Sequence, residues 1–141
     1  MPLFVGTHNR LDTRMCCVDL LVVYAGRVRI IVEIEESGFH PTKICGKFLQ
    51  AALATHFIHE SRSEKSVPYA EKVLFVHVLD GLKCLKGGGR KAAQAELIEN
   101  EIRALLPLKP GSISDYHLLF VSGELDQPGL TRVASLVSAA L

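Results

Sequence analysis

Three carboxylates, Asp19, Glu33 and Glu35, stand out in the stretch CCVDLLVVYAGRVRIIVEIEE from Cys16 to Glu36. Two aliphatic, β-branched runs flank Ala25-Gly26-Arg27, which reads as a β-hairpin with Gly26 supplying a positive φ in a three-residue loop. With Tyr24 facing Val28, the pairing carries outward and sets Asp19 opposite Glu33. Side chains alternate along a strand, so Val18 to Tyr24 and Val28 to Ile34 contribute every second residue to a wholly apolar or aromatic face, expected to lie on the core. The other face holds Asp19, Leu21 and Val23 with Arg29, Ile31, Glu33 and Glu35. Carboxylates crowded in one place raise each other's pKa. A hard divalent cation relieves that conflict, and so do ion pairs with Arg29, Lys43 or Lys47.

The hairpin leads through Ser37 to Thr42 into a helix expected from Pro41 to about His59, with His40 or Thr42 as its cap. Ile44, Phe48, Ala51, Thr55 and Ile58 form its apolar stripe, and Lys43, Lys47 and Gln50 stack on another face. Because the helix follows the acid-bearing strand directly, Lys43 and Lys47 are expected near the carboxylates. His56 and His59 lie too far along it to join them.

An Asp on one strand, acid-x-(Lys or acid) on the next and then a helix resembles the PD-(D/E)xK nuclease superfamily, the restriction-endonuclease-like fold. Asp19 and Glu33-Ile34-Glu35 carry the resemblance, which covers the hairpin and the helix after it; the remainder matches only in the order of its elements. Glu35 stands where Lys is usual, Val18 where Pro is frequent, and residues 1–15 show no clear helix where the family core has one. The resemblance implies Mg²⁺ (or Mn²⁺) held by Asp19 and Glu33, with DNA as substrate. It also implies catalysis by Asp19, Glu33 and Glu35, with Lys43 or Lys47 supplying the charge that Glu35 lacks. Asp12 is a further candidate acid.

The rest of the chain supplies the frame. Glu60 to Glu71 reads as a surface loop, and Val73 to Leu79 as a strand buried on both faces, with His77 a satisfied core or edge histidine rather than a catalyst. Lys83, Lys86, Arg90 and Lys91 surround Gly87-Gly88-Gly89 ahead of a second helix, a basic loop suited to phosphate contacts though not a Walker A sequence. Ala95, Ile98, Ile102 and Leu105 mark that helix's buried side, and Pro107 ends it. Leu118 to Val121 reads as a strand and Ser122 to Gly129 as a loop. A last helix spans Leu130 to Leu141, with Val133, Ala134, Val137 and Leu141 on one side as a surface for the core or for a homodimer.

These elements give β-β-α-β-α-β-α, an α/β (α+β) three-layer domain over residues 1–141 with a mixed sheet opening on an antiparallel hairpin. With 48% hydrophobic and 22% charged residues, the chain is globular. It lacks a signal-peptide pattern or a membrane-length apolar run, so a cytoplasmic protein is expected. A net charge of +1 confines any DNA contact to local basic patches. Cys16, Cys17, Cys45 and Cys84 have no zinc-like spacing and read as buried thiols. The sequence therefore favours a metal-dependent endodeoxyribonuclease. The alternatives are a catalytically inactive module of the same fold, binding nucleic acid or a partner protein through the basic loop, and a nucleotide-binding regulator using Gly87 to Lys91.

Overall fold

A computed structural model describes residues 1–6, 11–36, 38–59, 65–84, 89–123 and 126–141, with only the backbone of Cys84. Its spine is β6 (Ser66–Asp80), whose two halves serve different neighbours. The first half pairs antiparallel with β5 (His56–Ile58), which continues to β1 (Pro2–Phe4) and β2 (Arg14–Cys17). The second half lies between β4 (Arg27–Glu35) and β7 (Asp115–Val121), parallel to both, and β3 (Leu20–Tyr24) closes that side antiparallel to β4. The result is a seven-stranded mixed sheet. As expected for parallel strands covered on both sides, Val73, Phe75 and Leu79 enter the main core, while Leu74 and Val76 enter a smaller one.

β3 and β4 form the expected hairpin, but with a two-residue turn. Ala25 and Gly26 both have positive φ, 50° and 73°, the conformation that matches the twist of the flanking strands. Tyr24 therefore faces Arg27 and Val23 faces Val28, after which the register shifts so that Val22 faces Ile30 and Leu20 faces Val32. Arg29 is the extra residue of a β-bulge. The outer register, which sets Asp19 opposite Glu33, agrees with the sequence reading. The burial does not. Ile31, Glu33 and Glu35 face the main core, and the all-apolar face is only partly covered, with Leu20, Tyr24 and Ile34 exposed. The reason is that β4 is an inner strand covered on both sides, so alternation cannot tell which face carries the larger core.

Helix α1 (Pro41–Leu53) buries Ile44, Phe48, Ala51 and Ala52 against the sheet. Pro41 occupies its first turn, while His40 sits at the N-cap position without a side-chain cap bond. The helix stops six residues short of His59. Thr55 instead donates its backbone N–H to Phe4 and accepts from Tyr69, and His56–Ile58 becomes a strand. A β-branched and aromatic run prefers the vacant place between β1 and β6, so tertiary pairing overrides the helical stripe. The same pairing makes Ser66 to Glu71 strand rather than loop.

A four-residue helix α2 (Gly81–Cys84) precedes α3 (Arg90–Ala104), which buries Ala95 and Ile102; Leu105 is exposed at its C-cap. Helix α4 (Gln127–Ala139) begins earlier than expected because Asp126 caps it, accepting from Gly129 N–H at 3.0 Å and Ser122 N–H at 2.8 Å. It lays Val133, Leu136, Val137 and Ala140 on the smaller core, whereas Ala134 and Leu141 are exposed. Helices thus cover both faces of the sheet, in the three layers expected. Among the described residues no helix is long and apolar enough to cross a membrane.

Phe48 locks α1 to the sheet through edge-on contacts with Phe75 (5.9 Å) and Tyr116 (5.3 Å). Phe48→Ala is expected to lower unfolding stability by about 3–5 kcal/mol, read by urea denaturation.

Candidate functional site

The acid-bearing end of β4 lies beneath the first turns of α1. Glu33 and Glu35, two residues apart on one strand face, are almost wholly buried. Lys43 Nζ lies 2.7 Å from Glu35 Oε2, and Lys47 Nζ bridges Glu33 Oε2 at 3.2 Å and Glu35 Oε2 at 3.8 Å. Asp19 comes from the short link between β2 and β3 and remains exposed. Its Oδ2 accepts the Ile34 backbone N–H at 2.7 Å, which pins it to the strand carrying both glutamates. The structure therefore brings together all five residues picked out by the hairpin and helix: Asp19, Glu33, Glu35, Lys43 and Lys47.

Their electrostatics are unequal. Burial raises the pKa of Glu33, and a hydrogen bond with Asp19 adds to the effect, taking it to about 7 despite Lys47. Burial also acts to raise Asp19, but the bonds from Glu33 and Ile34 and the charge of Lys47 outweigh it and hold Asp19 below the usual carboxylate range. Of the two, Glu33 therefore holds a proton more readily, and Asp19 favours its ionised form.

Two residues join the group that the sequence reading set apart. His77 sits beside Glu33 on β6 and is fully buried. Burial lowers its pKa to about 4, with Lys47 next in effect, so it is neutral; its Nδ1 lies 3.4 Å from the Tyr116 hydroxyl. Its Nε2 is buried without a hydrogen-bond partner. The signal was in the sequence, since parallel pairing of β4 with β6 puts His77 on the acid face. Cys16 is the other: burial and then Glu33 push its thiol up to about 12, so it is an inert neighbour. The expectation of buried cysteines fails elsewhere, because Cys17 and Cys45 are exposed.

The remaining candidates lie apart. Arg29 is not on the acid face, because the bulge turns it toward α4 and it lines a cavity there. Asp12 is exposed in a 3-10 turn. Lys83 is engaged, donating to the Glu36 carbonyl at 2.8 Å and pairing with Asp80 at 3.4 Å. Arg90 and Lys91 are exposed in the first turn of α3, while Lys86, Gly87 and Gly88 fall outside the described residues.

Beyond Glu35, a cavity of about 390 Å³ opens at the C-terminal ends of β4, β6 and β7, walled by Ile34, Val78, Leu82 and Leu130. This is the end of a parallel sheet where ligands commonly bind. No family model, curated protein or solved structure matches the chain.

Glu33 makes stability pH-dependent in a definite direction. Its folded pKa of about 7 exceeds its ordinary value of 4.5, so the folded protein binds more protons than the unfolded one in that window. Its contribution is therefore fully present below pH 4.5 and lost as pH rises through 7. Thermal melts of the wild type should show a fall in Tm across this window, and Glu33→Gln should largely flatten it.

Proposed function

We propose that the protein is a metal-dependent nuclease of the restriction-endonuclease-like class, hydrolysing DNA phosphodiester bonds at the Asp19–Glu33 end of β4. The observation that carries this reading is the convergence of Asp19, pinned to β4 by the Ile34 N–H, on the buried Glu33, with Lys47 3.2 Å from Glu33. Two carboxylates suit Mg²⁺ or Mn²⁺, which keep water and substrate oxygens in most of their coordination positions. Among the described residues no group of three or more His, Cys, Asp or Glu is placed to hold an ion, so water and substrate oxygens would have to supply the rest of the coordination. A divalent cation there supplies positive charge against the charge that builds on the attacked phosphate.

The chain's own groups have separate tasks. Asp19, the exposed member, and Glu33, in its ionised form, would hold the cation. Lys47 takes the place of the lysine usual in the third motif position, coming from α1 instead of β4. Its ammonium, 3.2 Å from Glu33, favours the ionised form of that glutamate. Glu35 holds Lys43 at the rim, half-exposed, where the lysine can meet a phosphate oxygen. Cleaving both strands would require two copies of the chain.

A second reading has its own support, since both buried glutamates already carry lysine partners. On that reading the cluster is an ion-pair network holding α1, and the protein binds nucleic acid through Arg90 and Lys91.

Two measurements separate these readings. Supercoiled and branched DNA incubated with Mg²⁺ or Mn²⁺ should be cut by the wild type. Asp19→Asn and Glu33→Gln should each reduce the rate by about a hundredfold or more. Cation-dependent thermal stabilisation should disappear in the same variants. Folded protein that cuts no substrate, yet shows salt-sensitive DNA retention that survives those changes and falls with Arg90→Ala and Lys91→Ala, would support the binding module instead.

A further inference from the structure

The bulge at Arg29 creates a second charged place, on the face of the sheet away from α1. A cavity of about 400 Å³ lies between the first residues of β4 and β7, the middle of β6 and the end of α4. Arg29, Lys72 and His117 line it on the sheet side, with Leu74, Leu136 and Ala140 as apolar wall. Among the described residues neither Arg29 nor Lys72 has an ion-pair partner within 4.0 Å. Arg29 Nε is also buried without a hydrogen-bond acceptor. Asp115 also lines the cavity, but it is engaged by Arg103 at 3.2 Å and His117 Nε2 at 3.5 Å, and His117 Nδ1 is held by Glu99 at 3.0 Å. Arg29 and Lys72 therefore border the cavity without a carboxylate paired to either. A buried donor left unmatched is costly, and its natural complement is an acceptor delivered from outside.

We propose that this cavity binds a small organic anion, with a carboxylate or phosphate head on Arg29 and Lys72 and an apolar body against Leu74, Leu136 and Ala140. The size falls within the range of small-molecule sites, which pair apolar walls with a few placed polar groups. Arginine is suited to the head group because its planar fork matches two oxygens of a carboxylate or phosphate. A nucleic-acid backbone is a poorer occupant, since it needs an open basic track rather than a cavity closed by a helix end. The site stands independently of the nuclease reading: Arg29 lies near the start of β4, and the acids lie at its end.

Methyl NMR titration of the intact chain tests this with hexanoate and hexyl phosphate as probes and hexanol as the neutral control. At least one anion should give saturable shifts at Leu74 and Leu136, binding about tenfold or more tighter than hexanol. Arg29→Gln and Lys72→Gln should each remove most of that advantage. Lys72 is exposed, so its variant decides the matter if Arg29→Gln does not fold. Whichever anion binds tighter identifies the head group. No binding by either anion, equal binding of hexanol, shifts confined elsewhere, or unchanged affinity in the folded variants would overturn the proposal.

Discussion

Two glutamates placed under a helix on an inner strand are the constraint to which this end of the structure answers. A buried carboxylate without a partner is too costly to keep. Glu33 and Glu35 are separated by two strand residues, about 6.6 Å, and Lys43 and Lys47 by four helical residues, about 6 Å. The two spacings match. Lys43 meets Glu35 and Lys47 meets Glu33, so α1 runs back against the direction of β4. Phe48, one residue after Lys47, anchors the same turn in the aromatic core with Phe75 and Tyr116. Helix docking and charge pairing therefore reinforce each other, and neither lysine could be moved by one position without losing its glutamate.

Asp19 unbalances that match. Three carboxyls face two ammonium groups, so one carboxyl lacks a lysine of its own. Burial raises the pKa of Glu33, while Asp19 is exposed and accepts the Ile34 N–H, so Glu33 takes up a proton more readily than Asp19. On the proposed function, a divalent cation between Asp19 and Glu33 would bring the charge that both carboxyls need to be ionised together.

Much of this was legible in the chain. The hairpin, its outer register and the lysine stripe at i and i+4 together predicted Asp19 opposite Glu33 and both lysines nearby. Periodicity did not say which side of β4 would carry the larger core, because an inner strand is apolar on both faces and the acids are tolerated inside only through partners from another element. It misread His56–Ile58 as helix for a related reason: the vacancy between β1 and β6 is a long-range fact, and β-branched and aromatic residues fill it more readily than they extend a helix. His77, expected as a satisfied core or edge histidine, is buried in the core, but its Nε2 has no hydrogen-bond partner. Its place beside Glu33 emerges only once β4 and β6 are known to be parallel neighbours.

The one-residue bulge at Arg29 has consequences on both faces of the sheet. With uninterrupted alternation Arg29 would lie on the same face as the acids, four residues before Glu33. The two-residue Ala25-Gly26 turn sets the pairing at the hairpin's end, while the buried residues from Ile30 onward demand another register, and the extra residue absorbs the difference. Arg29 is displaced to the α4 side as a result. One local irregularity thus separates Arg29, at the cavity beside α4, from the carboxylates at the far end of β4.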